Sequence, residues 1–308
     1  MFRPLFRALL GNRLFRGGAG IVVVFGSLAF AAPLLTRAHL LADPIQQDPN
    51  GLDEVGMPRS FLRAHLLGTD SLGRDVLARV VHGARVSLSI GVAAMLTATV
   101  IGVTVGLLAG FYGGRLDIGL MRFTEMNMTI PAVLLAIAFA GLMDGGKVLH
   151  LHPPWVEWPI LDFQLRRGMV SLFLVIGFVC WPGMVRVIRA QVLELKEREF
   201  VQSARALGAS DGRLILAHIL PNMLPTVIVL SAMNTANTIL LEAGLGYLGI
   251  GVPPPAPTWG SMISDGQAYF VAAPHIVIAP GLAIVLTVLA FNLLGQGLQE
   301  ALDPSRTR

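Results

Sequence analysis

Few residues in this chain have the types and spacing that chemistry needs, and each such grouping fails a specific requirement. Gly141-Leu-Met-Asp-Gly-Gly146-Lys147 has the spacing of a phosphate-binding loop, but Val148 stands where the Mg²⁺-binding hydroxyl belongs. It also follows an apolar run, not a strand. His150 and His152, with Glu157 and Asp162 nearby, sit two apart in a Pro/Trp-rich stretch, a spacing that describes ordinary loop residues better than a metal site. His218 and His275 have no ligand-spaced partners. Cys180 is the one cysteine, which excludes a disulfide framework and a cysteine metal cluster. Glu242 is an acid at the end of an apolar run. An intramembrane carboxylate is a functional candidate by default, although near the interface a structural role suits it better. No Ser/His/Asp set, no His-Glu-x-x-His and no deep carboxylate pair exists, so catalysis has no candidate residues.

What the chain does have is a polar, helix-forming stretch held between long apolar runs: EFVQSARALGASDGRLILAHILP, residues 199–221. In its first helix Phe200, Ala204 and Leu207 share a face. Gly208 suits the left-handed position that ends a helix, and Ser210 is a candidate N-cap for a second helix carrying Leu214, Ile215 and Ile219. Pro221 is expected to redirect the chain. Such an ordered elbow between two membrane spans gives an external partner something rigid to grip.

The elements that must position this elbow are membrane helices. The chain has 308 residues, 54% apolar and 14% charged, with mean hydropathy +0.68; soluble domains carry about 25% charged residues. The net charge of +4 is spread over loops and is not gathered into a basic face, which argues against nucleic-acid binding. A span takes roughly 20 apolar residues. Suitable windows are Gly17–Thr36, Val86–Arg115, Met126–Met143, Gly168–Val185, Ile219–Leu241 and Gly266–Gln299. Ala243–Ser264 is excluded because Pro253, Pro254, Pro255 and Pro257 remove amide donors that lipid cannot replace; it is expected to be an ordered loop or short re-entrant piece.

Of the 23 lysines and arginines, 14 fall on the inside and 9 on the outside when the N-terminus is placed in the cytoplasm. This fits the positive-inside rule and puts 186–218 in the cytoplasm. The expected architecture is an all-α membrane protein with six spans, N-in and C-in. It divides into an N-terminal segment, first span and outer loop (1–85), a transmembrane domain (86–300) and a cytoplasmic tail (301–308). In the outer loop, Leu72, Val76, Leu77, Val80, Val81 and Ala84 predict an amphipathic helix that braces the outer interface and leads into the second span. Asp75 and Arg79 stand on its opposite face. In the second span Gly102 and Gly106 form a small-xxx-small pair suited to packing within the subunit. The N-terminus has a second reading, a secretory signal cleaved near Ala29-Phe30-Ala31.

The elbow resembles the EAA loop of ABC-importer permeases, in which E-A-A precedes, after three residues, a glycine and then I-x-L-P. Here the positions are Gln202-Ser203-Ala204, Gly208 and His218-Ile219-Leu220-Pro221; two of the three opening letters and the isoleucine depart from the pattern. LLGTDSLGRDVLARVVHGARVSLSIG (66–91), GFYGGRLD (110–117), WPGMVRVIRAQVLELKEREFV (181–201), EAGLGYLGIGVPPPAPTWGSMI (242–263) and PGLAIVLTVLAFNLLGQGLQEALDP (280–304) look like the dipeptide/oligopeptide and nickel importer permeases. Lys147–Arg167 is an insert relative to that pattern.

The resemblance implies a type I importer permease fold with a cytoplasmic coupling helix. It implies Gln202, Ser203, Ala204, Leu207, Gly208, Ala209 and Pro221 as the ATPase-coupling residues. It also implies as partners a second permease subunit, two ABC ATPase subunits and an extracytoplasmic substrate-binding protein, all around a lipid bilayer. ATP and Mg²⁺ would be bound by the ATPases, with no cofactor in this chain. The substrate expectation is di- or oligopeptides, with nickel or another small solute as the alternative. From another class, an ion-coupled secondary transporter would need buried ionisable residues, which the spans scarcely offer.

Overall fold

The computed structural model describes residues 9–60, 65–144, 148–150, 162–164 and 168–302. It is helical apart from one short strand pair. Helix α1 spans Arg13–Arg37, α2 Val76–Tyr112, α3 Gly114–Thr129, α4 Ala132–Asp144, α5 Met169–Leu195, α6 Glu199–Ala206, α8 Trp259–Gly266 and α9 His275–Leu302. Helix α7 runs over Asp211–Tyr247 and contains a π turn at Leu214–Ile219. Five helices are long and apolar enough to cross a membrane, and six spans result when α3 and α4 count as one bent pair.

The third window differs from a single straight span. Its helix breaks by 90° between Thr129 and Ala132. Pro131 supplies no amide and pushes the residue before it out of helical geometry; Ile130 accordingly sits at φ −91°, ψ 126°. Within the Lys147–Arg167 insert, β1 (Val148–His150) pairs antiparallel with β2 (Asp162–Gln164). Gly145 to Lys147 of the phosphate-loop look-alike, as well as His152 and Glu157, lie outside the described residues.

Glycines let α2 act as the central post. An added Cβ at Gly102, Gly106 or Gly110 would come within 2.8, 2.7 and 2.7 Å of Met184, Ile188 and Val192 on α5. Close backbone approach of this kind drives helix association where lipid removes the hydrophobic effect. The Gly102–Gly106 pair therefore packs within the subunit. On another side of α2, Gly91 faces Ile239 of α7 and its carbonyl accepts a hydrogen bond from Thr238 Oγ1 at 2.8 Å. Helix α1 runs unbroken through Ala29–Ala31 and packs on α9, where Gly18 lies against Ala290 and Leu294. Asn12 caps α1 through the Phe15 amide and donates to Glu300 at 2.8 Å.

The outer segment differs from an interfacial brace. Asp75 is the N-cap of α2, accepting from the Ala78 amide at 2.6 Å, and the helix continues without a break to Tyr112. Its polar face is buried. His65 bridges Asp75 (2.7 Å) and Asp48 (3.0 Å). Asp70 holds both Arg74 (2.7 Å) and Arg79 (3.2 Å), with Asp265 of α8 at 3.6 Å from Arg79. The charges that suggest a solvated face are instead the core of an outer cap.

Candidate functional site

The elbow is built from three consecutive pieces. Helix α6 opens with Glu199 and closes with Arg205, each placed to favour the helix dipole. It ends in a Schellman motif: the Gly208 amide donates to the Arg205 carbonyl at 3.0 Å and the Ala209 amide to the Ala204 carbonyl at 3.1 Å. Gly208 has φ +85°, and an added Cβ would meet nothing within 4 Å. Backbone conformation, not space, therefore calls for glycine here. Ser210 then takes the extended N-cap geometry of α7, though its hydroxyl makes no cap hydrogen bond.

Pro221 does not redirect the chain. It lies in the first turn of the segment Leu220–Tyr247, directly after the π turn, and α7 continues through it. The widened turn shifts the hydrogen-bond register, so that the Leu220 amide donates to the carbonyl of Ile215. The Asn222 side chain takes up the His218 carbonyl at 2.6 Å. Pro221's missing amide thus falls at the edge of a turn where the regular helical register is already interrupted.

Packing on the elbow is polarised. Val201 is fully buried, in one cluster with Phe111 of α2, Ile188 and Val192 of α5, and Leu214, Ile219 and Met223 of α7. Ala204 and Ala209 lie half-buried against the same cluster. Polar ties reinforce it. Lys196 Nζ donates to the Gly110 carbonyl at 3.1 Å, Arg205 sits 5.7 Å from the Phe111 ring centroid, and Arg189 grips Asp117 of α3 through two bonds of 2.6 Å. Gln202 donates to the Lys196 carbonyl at 2.9 Å and so braces the turn before α6.

The opposite side carries apolar groups into the open. Leu207 is 89% exposed and Phe200 43%, with Ser203, Gly208 and Pro221 exposed alongside. The sequence placed Phe200, Ala204 and Leu207 on one face; the structure separates them, with Ala204 turned toward the core and the other two outward. Val201, the true anchor, escaped the sequence reading. Its spacing to Ala204 is the available signal, but eight residues hold only two turns and fit more than one phase.

Glu242 lies in α7, fully buried, and neither carboxylate oxygen has a hydrogen-bond partner; Ser87 of α2 is a polar side chain facing it. No cluster of three or more metal-ligating side chains forms among the described residues. His218 and His275 lie apart, and His275 bonds the Thr69 carbonyl at 3.0 Å. The geometry offers a short rigid helix with an exposed apolar tip and, among the described residues, no grouping suited to bond chemistry.

Comparisons with known proteins agree with that description. The profile of the family described as "Binding-protein-dependent transport system inner membrane component" matches residues 102–308. The dipeptide transport system permease protein DppC of Alkalihalophilus pseudofirmus is 36% identical over 98% of this chain and 90% of its own length. The glutathione transport system permease protein GsiD of Pectobacterium atrosepticum is 39% identical over 78% of this chain and 73% of its own. Among solved structures, the MetNI methionine ABC transporter in an inward-facing conformation aligns with TM-score 0.55 at 16% identity, over 73% of this chain and 97% of the matched one. That likeness establishes a shared type I importer fold.

Members of this family work with ATPase subunits and a binding protein, and they are not enzymes. The chain belongs to the binding-protein-dependent transport system inner membrane components: it is a multi-pass permease subunit of an ABC importer.

Proposed function

We propose that the elbow is the site at which an ATPase subunit drives this permease, through Gln202, Ser203, Ala204, Leu207, Gly208, Ala209 and Pro221. The observation that carries this reading is the polarity of α6: Val201 is fully buried while Leu207, two turns away, is 89% exposed. An exposed apolar tip on a helix packed against α2, α5 and α7 is what a partner's groove would hold. Displacement of the tip then passes through the Val201 cluster into α2, α5 and α7 together, because a packed core moves as a unit.

In this reading the working importer pairs the chain with a second permease subunit. Two ATPases bind ATP and Mg²⁺ beneath them, and an extracytoplasmic binding protein delivers the solute. Residues 86–300 form the transporting domain, 1–85 supply the first span and outer cap, and 301–308 a cytoplasmic tail. Small peptides are the solute class, on the strength of relatives named for dipeptide and glutathione transport. The experiment is uptake by reconstituted vesicles, with a cysteine at Leu207 for crosslinking. ATP-dependent accumulation of a labelled dipeptide, and capture of the ATPase by the Leu207 probe, support it. Uptake without ATP or without the ATPases, or a probe that captures only lipid, overturns it.

A further inference from the structure

A cavity of about 380 Å³ opens sideways between α1, α2 and α9, away from the elbow. Its walls are almost wholly apolar, including Phe25 and Phe30 of α1, Leu96 of α2 and Phe291 of α9. Phe30 and Leu96 are 77% and 60% exposed, so the space communicates with the bilayer. Two features are out of keeping with a mere gap between helices. At the outer end stands Arg85, the last charge before the second apolar window, exposed and in no ion pair among the described residues. Deeper in the wall lies Thr287, 2% exposed, whose Oγ1 has no hydrogen-bond partner. A helical threonine usually returns its hydroxyl to the preceding turn, as Thr97, Thr124 and Thr235 do at 2.9, 2.7 and 2.7 Å. Thr287 does not.

We infer that this groove is a binding site for one anionic phospholipid of the outer leaflet. Arg85 meets the phosphate-bearing headgroup. Ser89, one helical turn or about 6 Å deeper, meets the glycerol-ester region, and the Thr287 hydroxyl, shielded by its neighbours in the structure, reaches it by rotation about χ1. An acyl chain lies along Val92 and Leu96 against α1. The charge order is what selects this occupant. A transmembrane helix of a neighbouring protein would leave Arg85 at the lipid boundary without a counter-charge and Thr287 without an acceptor, whereas a phospholipid presents a phosphate, carbonyl oxygens and hydrocarbon in that sequence. The lipid would fasten α1 to the α2–α9 pair midway along a seam tied at its inner end by Gly18, Gly297 and the Asn12–Glu300 bond and at its outer end by the Thr36–His82 bond of 2.9 Å.

The test uses the assembled importer, extracted in mild detergent and examined by native mass spectrometry for retained phosphatidylglycerol and phosphatidylethanolamine. Gly26→Leu fills the groove from α1; an added Cβ there meets nothing within 4 Å, so the helix tolerates the change. The expected result is one phospholipid fewer per permease. Arg85→Gln is expected to keep the lipid but lower the preference for phosphatidylglycerol about fivefold, what one basic contact near a bilayer surface is worth. Independently of any groove-filling variant, a photoactivatable phosphatidylglycerol in nanodiscs should label the segments lining the groove. The inference is overturned if Gly26→Leu retains the full lipid count, if the photolipid labels only other segments, or if a photocrosslinker at Val92 captures a helix of a companion subunit. Loss of the anionic preference in Gly26→Leu but not in Arg85→Gln overturns the headgroup assignment. None of these readouts depends on which ATPase grips Leu207.

Discussion

The two ends of α2 are held by opposite means. At the inner end the elbow is fixed by apolar packing around Val201, with charges such as Arg205 and Lys196 reaching over the top. At the outer end the cap is fixed by paired charges around a buried centre of His65, Asp70, Asp75 and Arg79: Asp48, His65 and Asp75 form one chain, and Asp70, Arg74, Arg79 and Asp265 another. Apolar packing is non-directional and close, so it passes strain from one helix to the next, as the proposed lever requires. Paired charges in a dry environment tolerate neither loss of a partner nor much change of geometry, which suits a fixed rim. On the proposed coupling role, the inner end is the one to be pushed and the outer end the one to hold still.

The sharpest way to break this contrast is Gly208→Pro. Proline locks φ near −65° and removes the amide that closes the Schellman motif, against φ +85° in the structure. A local cost of about 3 kcal/mol or more should abolish vesicle uptake while the amount of chain inserted in membranes stays unchanged. Uptake at wild-type rate would show that the elbow's conformation does not matter. Next comes Leu207→Asp, which leaves the fold intact because the residue is 89% exposed. Placing a charge in a partner's apolar groove should lower co-purification of the ATPase roughly thirtyfold, the loss expected of a central contact worth about 2 kcal/mol. Unchanged co-purification would move the contact elsewhere.

At the outer end, Arg79→Ala removes one of two guanidinium partners of Asp70, which itself lies 4% exposed. A cost of about 3 kcal/mol should appear as a lower melting temperature, with ATPase binding unaffected. A drop in both would mean that the two ends are mechanically one. The smallest effect is that of pH. Burial pulls His65 toward the neutral form, but its hydrogen bonds to Asp48 and Asp75 and their charges outweigh that, so the imidazole titrates above its ordinary value. Its contribution to the cap is complete below the unfolded histidine range near 6.5 and is lost as pH rises through the raised folded value. Protection from hydrogen exchange in the 65–75 segment, taken relative to the intrinsic base-catalysed rate, should therefore fall on the alkaline side. His65→Gln should flatten that dependence, and an unaltered profile in the variant would assign it to another group.

Much of this arrangement was legible in the sequence because membrane spans declare themselves by composition. Each apolar window overlaps a long helix or the bent helix pair, and Gly208 announced the left-handed turn that it makes. Pro131 carried the signal for the α3–α4 bend, but an unbroken apolar run around it concealed the consequence. Pro221 misled for the opposite reason: its missing amide is accommodated by a π turn, a tertiary compromise with no pattern of its own in Leu214–Ile219. The outer cap was hidden because Asp75 and Arg79, four apart on one helix, read as a solvated face. Their partners are His65 and Asp70 from the loop before the helix and Asp265 from α8, which only the fold brings together. Direction was equally invisible for Phe200 and Leu207, since a two-turn helix does not fix which side its neighbours occupy.

The π turn also sets an angular phase. One residue more than a regular helix requires is stored at Leu214–Ile219, and each residue of an α-helix advances the chain by about 100° around its axis. Deleting one residue there would preserve composition, hydropathy and charge. It would also let the segment close as a regular helix with its two ends in about the same phase, whereas a deletion in the regular helix beyond it would turn everything past the cut by about 100° relative to the elbow.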